Sequence, residues 1–239
     1  NKNKFFSLNQ IKVVTFNKSV LNNDFKIDFD KKIKISGNKF DATNLMKFIK
    51  KKSNNNSLKK IDKEIVINFK NVLTPLSEML LDFRLIGKIE KGKFVKILSK
   101  GDFGDNNYLD ITLKTDKKLK KKYLEIYSDL AKPLLTDYNF FNGLIGGKLM
   151  FSSILENNMS KSNLVINNFK IVDAPNLIKL LSLADFGGLA DLAKGEGLTF
   201  DKMEIKMNSQ NDFLRLEELY AVGPSISVLM EGYKESSGL

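Results

Sequence analysis

Residues 78–90 read EMLLDFRLIGKIE. Met79, Leu81, Phe83, Leu85 and Ile89 hold one phase of an alternation across this stretch, and Gly87 interrupts it. Successive side chains of a strand point to opposite faces, so a period of two marks a β-strand with one apolar face. An average strand is about 5 to 6 residues long. An alternation this coherent predicts a long strand in a long sheet.

The same period recurs on both sides. Upstream, Ile65, Ile67 and Phe69 share a phase, as do Ile11, Val13 and Thr15, and then Phe25, Ile27 and Phe29 followed by Ile33 and Ile35. These first runs read as antiparallel neighbours joined by a turn at Asn22, Asn23 and Asp24, with Gly37 closing the second. Residues 40–51, FDATNLMKFIKK, read as a short helix capped by Asp41 or Thr43. Residues 50–60, KKKSNNNSLKK, are charged, rich in Ser and Asn, and aperiodic, which predicts a linker. Downstream, strands are expected over 94–98, 108–113, 123–127, 148–155, 164–172, 198–207, 213–221 and 226–233. Turns are expected at 101–107, at the lysine run 117–122, at 209–212 and at Gly223–Pro224, with a helical turn over 129–135.

One long helical signal interrupts this pattern. Residues 173–200 read DAPNLIKLLSLADFGGLADLAKGEGLTF. Asp173 caps the first turn and Pro175 sits where a missing N–H costs nothing. Leu177, Ile178, Leu180, Leu181 and Leu183 then form one wide apolar stripe, continued by Phe186. Gly187 and Gly188 end or kink the helix, and Gly195 and Gly197 supply the exit. The expectation is an amphipathic helix over 175–193, packed on the sheet as core or covering the end of an apolar groove.

At 239 residues and 42% hydrophobic content, the chain can bury a core in one extended domain or two small ones. The organisation expected is upstream strands and a short helix over 1–49, a linker over 50–60, and one long region over 61–239. A first residue Asn1, with no charged-then-apolar leader, and a last run that stops within an alternation lead to the expectation of a fragment of something longer. The formal charge is +11, yet Arg84 and Arg215 are the only arginines. A reader of nucleic acid keeps bidentate Arg, so the excess Lys is read as a solvated surface and no nucleic-acid partner is expected. The most apolar stretch, 177–193, is broken by Lys179, Asp185 and Asp191, so no membrane span is expected within it.

Cys and His are both absent. This removes disulfides, thiolates, the commonest general base and the usual metal ligand. The glycines form neither GxGxxG nor GxxxxGK[ST], and Glu204, Asp212, Glu217 and Glu218 fall at turns or on polar strand phases. The chain is therefore read as a non-enzyme, with no catalytic residue, no cofactor and no metal.

From residue 129 onward one ordered string of features stands out. The helical turn (Leu130, Leu134, Leu135) is followed by Gly146–Gly147 and by Asn168, Phe169, Val172, Asp173, Ala174 and Pro175. Then come LIKLLSL, the GEG of 195–197 with Phe200, the VGPS of 222–225, and Glu231–Gly232. This resembles the AsmA-like C-terminal region of the AsmA and TamB superfamily of envelope proteins, in particular the YhdP-like branch, truncated at its end. FDATNL at 40–45 is similar to a motif upstream in the same proteins. The resemblance implies a periplasmic protein of Gram-negative bacteria, attached to the inner membrane by a segment outside this sequence and working with other envelope proteins. It also implies a long curved β-sheet whose apolar groove carries phospholipid towards the outer membrane.

The fold expected is thus mainly β, an elongated curved antiparallel sheet forming an apolar groove with one amphipathic helix packed on it. Met79, Leu81, Phe83 and Leu85 are the first candidates to line the groove, and Met203, Ile205 and Met207 the second. Leu177, Leu180, Leu181 and Phe186 would form the helix cover. Asp173, Pro175, Gly195, Gly197, Phe200, Gly223 and Pro224 are read as structural. The alternative is a structural or outer-membrane-protein assembly module that uses strand edges for β-augmentation. A dry, side-chain-filled interior would favour that alternative, and an open apolar trough would favour lipid.

Overall fold

A computed structural model describes residues 8–45, 61–75, 78–135, 143–172, 197–211, 213–224 and 226–235. The chain is mainly β, as the alternation predicts, with thirteen strands and one short helix among the described residues. It divides into two units, 1–106 and 107–239.

The first unit holds β1 (Gln10–Asn17), β2 (Val20–Phe29), β3 (Ile33–Asp41), β4 (Lys63–Leu73), β5 (Met79–Glu90) and β6 (Lys93–Asp102). Each strand pairs with the next in the chain, and all pairs are antiparallel except β3 with β4, which run parallel. Parallel neighbours need a crossover instead of a hairpin. The strands on either side of the expected linker therefore share one sheet. Asn22, Asn23 and Asp24 lie inside β2, and the turn sits instead at Lys18 and Ser19, both with positive φ. Asn22 pairs with Asp41 and Asn23 with Thr15, so polar side chains that resemble a turn in sequence tie strands together. Phe40 and Asp41 end β3, Asp41 Oδ1 accepts from Thr43 N at 3.0 Å and Leu45 is helical, while the rest of the expected helix, 46–51, lies outside the described residues.

The second unit holds β7 (Tyr108–Asp116), β8 (Lys121–Ser128), the short helix α1 (Lys132–Leu135), β9 (Leu144–Glu156), β10 (Met159–Ile171), β11 (Leu198–Gln210), β12 (Phe213–Val222) and β13 (Ser227–Glu235). Its strands are antiparallel and follow chain order. One face is filled by a continuous cluster that includes Leu149, Leu164, Ile166, Phe169, Phe200, Met203, Leu219 and Ala221, with Ala131 and Leu135 contributed from around α1. Phe169 and Phe200 stack at 5.1 Å. Burial of such side chains at roughly 1.5 to 3 kcal/mol each makes this cluster the main source of the unit's stability.

Two backbone features fasten α1 to the sheet. Ala131 N donates to Gly147 O at 2.9 Å. Gly147 has φ +90°, and a Cβ there would lie 3.0 Å from both Ile166 Cγ2 and Phe169 Cβ, so glycine is needed for conformation and for space. Beside it, Asp129 accepts from Tyr127 Oη at 2.6 Å, Tyr108 N at 3.0 Å and Lys148 Nζ at 3.1 Å. These partners, the Tyr127 hydroxyl foremost, hold its carboxyl below the ordinary 3.8 despite the opposing effect of burial.

The helix expected over 175–193, with Leu177, Leu180, Leu181 and Phe186, lies outside the described residues, as do Asp173, Pro175, Gly195 and the stretch 50–60.

Candidate functional site

The first unit presents an apolar face on which Ile33, Ile65 and Phe69 are buried and a central row stays half-buried. Cross-strand partners set Ile11 opposite Ile27, Ile27 opposite Ile35, Ile35 opposite Ile67 and Ile67 opposite Leu85. This unbroken aliphatic row crosses β1 to β5, about 19 Å at a strand spacing of about 4.8 Å. All of its members are only half-buried. Flanking rows are apolar too: Val13, Phe25, Phe69 and Phe83 on one side, Phe29, Ile33 and Ile65 on the other. The rings of Phe25 and Phe69 close to 5.7 Å above Gly37, and Phe40 stacks on Phe69 at 5.1 Å. No described helix or second layer of strands packs on this face.

The alternation that places these residues breaks where the sequence does not show it. Leu80 is 3% exposed and Leu81 36% exposed, the reverse of the expected phase. Asp82, with φ +47°, is the cause, because the register slips between Leu81 and Arg84 and the inward phase restarts at Phe83. Phe83 and Leu85 therefore share the apolar face, whereas Met79 and Leu81 point to the opposite one. This corrects the expectation that all four line one groove. Gly87 does not interrupt the phase, since it is buried on the apolar face between Ile65 and Phe94. The inversion also crosses β3 and β4, where Gly37 and Phe40, then Phe69 and Val72, are inward at a spacing of three.

In the second unit, Met203 and Ile205 are 1% and 8% exposed, and Met207 packs against the same cluster. Their neighbours are the unit's own side chains, so they line no open groove. Phe200 is core, and Gly197 and Gly223 are close-approach positions where a Cβ would meet Ile171 O at 2.6 Å and Thr199 O at 2.0 Å. Gly223 and Pro224 make the turn into β13, with Gly223 N donating to Ile226 O at 2.8 Å.

Sequence reading missed a second feature of the first unit. On the face opposite the aliphatic row lies an open depression of about 820 Å³, bordered by β1 to β5 along the line of phase inversion. Lys12, Lys26, Ser36, Asn68 and Arg84 are successive cross-strand partners along it. Asp24, Asn38, Lys70 and Asp82 border it on the side of the inversion. Only the register, which is not legible in the sequence, brings these residues to one place.

Among the described residues no group of His, Cys, Asp or Glu is arranged to hold a metal, and no helix is long and apolar enough to cross a membrane. No protein-family model, no curated protein and no solved structure matches the chain.

Proposed function

We propose that the chain holds phospholipid, with acyl chain lying across the half-buried row Ile11, Ile27, Ile35, Ile67 and Leu85. The observation that carries this reading is the row itself: apolar, five strands wide, and covered by no described element. A sheet face of this composition gains by being covered, and each acyl methylene removed from water contributes about 0.8 kcal/mol. Such a surface binds by area, without specific polar contacts. The resemblance to AsmA-like proteins supports the same reading. It would place the protein in the periplasm, attached to the inner membrane and passing lipid towards the outer membrane beside other envelope proteins.

The side-chain-filled face of the second unit supports a structural role for that part of the chain, the scaffold or assembly reading. The two readings separate by experiment. Lipid extraction and mass spectrometry on the purified protein should find phospholipid in the wild type and in Ile86→Asp, whose side chain is 57% exposed on the opposite face. The folded Ile67→Asp/Leu85→Asp variant, or the milder Ile11→Ser/Ile27→Ser, should lose it. A lipid-free wild type, or folded variants that still carry lipid, would refute the assignment.

A further inference from the structure

We infer that the first unit, on the face opposite its aliphatic row, docks on an anionic lipid surface through a patch on β3 to β6. The centre of the patch is apolar. Val66, Ile86 and Leu98 are successive cross-strand partners on β4, β5 and β6, spanning about 10 Å at a strand spacing of about 4.8 Å. Ile86 is 57% exposed, Leu98 is 41% exposed, and Val66 is half-buried. Cations ring these three. Lys34 is the partner of Val66 on β3. Arg84 stands opposite Lys100 on one side of the Ile86 and Leu98 pair, and Lys88 stands opposite Lys96 on the other. All five cations are exposed.

Like charges directly opposite each other across a strand pair are destabilising, and here two such pairs bracket one aliphatic pair. Glu64 is the one carboxylate within these rows of β3 to β6, and it pairs with Lys32. Asp28, Asp62, Asp82 and Glu90 stand outside them, Asp28 against Lys26 at 3.2 Å and Glu90 against Lys88 at 2.8 Å. A surface of phosphate groups relieves the two like-charge pairs together. Long lysine stems let the aliphatic centre enter the boundary between headgroups and acyl chains while the ammonium groups stay at the phosphates. A protein partner fits less well, because a stable interface takes about 800 Å² a side and is depleted in Lys at its core. Nucleic acid fits less well too: it gains nothing from Ile86 and Leu98, and these rows carry no aromatic ring on which a base could stack.

This inference is independent of the lipid-holding reading, since it uses the other face. In co-sedimentation at low salt, the intact protein should bind vesicles of phosphatidylcholine that contain phosphatidylglycerol, and should not bind phosphatidylcholine alone. Lys88→Gln/Lys96→Gln should weaken that binding about thirtyfold, from about 1 kcal/mol for each charge near the surface. Ile86→Asp should weaken it at least tenfold while the protein keeps its co-purified phospholipid. The charge-matched Lys161→Gln/Lys170→Gln in the second unit should bind as the wild type does, and so should the folded Ile67→Asp/Leu85→Asp, which alters only the aliphatic row. Equal binding to both kinds of vesicle, or unchanged binding in both patch variants, would overturn the proposal. So would an equal loss in Lys161→Gln/Lys170→Gln, which would make net charge the cause. Failure to bind vesicles by a protein that still binds polyglutamate would overturn it in favour of an acidic protein partner.

Discussion

Replacing Leu80 and Leu81 one at a time by alanine separates the phase seen in the fold from the phase seen in the sequence. Leu80 is 3% exposed, opposite Val72 in the register, and its methyls lie over Gly101. Leu81 is 36% exposed on the other face. Truncating Leu80 removes the transfer free energy of its buried carbons and leaves a void, so a cost of about 3 kcal/mol is expected, within the range of about 2 to 5 for such changes. Truncating Leu81 should cost under about 1 kcal/mol. The chain has no Trp, and its tyrosines all lie beyond residue 106, so far-UV circular dichroism in urea follows the first unit together with the second, and tyrosine fluorescence follows the second separately. With a urea slope of roughly 1 to 2 kcal/mol per molar, Leu80→Ala should lower the midpoint by about 1.5 to 3 M. Leu81→Ala should barely move it. Equal shifts, or a larger shift for Leu81→Ala, would mean that the inversion at Asp82 is wrong and the simple alternation right.

Three further outcomes follow from the same packing. Gly101→Ala should destabilise by about 1 to 3 kcal/mol, because its Cβ would lie 2.8 Å from Leu80 Cδ1, and the cost should shrink in a Leu80→Ala background, which a double-mutant cycle in urea measures. At Asn168, with φ +55°, Gly should be tolerated, whereas Val should lower the melting temperature by a few degrees through a loss of about 1 to 2 kcal/mol. The Asp129 carboxyl is held below 3.8, so its contribution is fully present above that pH and is lost as pH falls through the depressed folded value. Urea titrations between pH 7 and 2 should show wild-type stability falling over this acid range and a shallower fall in Asp129→Asn.

Much of the strand inventory follows from period-two alternation alone. Ile65, Ile67 and Phe69 share the inward phase, and β7, β8 and β10 to β13 lie close to where their alternations fall. The turn-like Asn22 to Asp24 misled because Asn and Asp serve cross-strand hydrogen bonds as readily as turns, and only the strand partners decide which.

What the tertiary structure alone decided is which residues share a face and which of the two faces is open. A phase inversion shared by β3, β4 and β5, at Asp82 on β5, moves Met79 and Leu81 away from Phe83 and Leu85, and no periodicity in the sequence marks it. The apolar phases of 65–69 and 203–207 look alike as sequence and each has two buried members, yet Ile67 belongs to a row half-buried across five strands, whereas Met203 and Ile205 join a cluster with Leu164, Ile166 and Leu219. Local chemistry determines that a strand forms and that one side of it is apolar. What lies against that side depends on residues distant in the chain, and those are brought there only by register and packing.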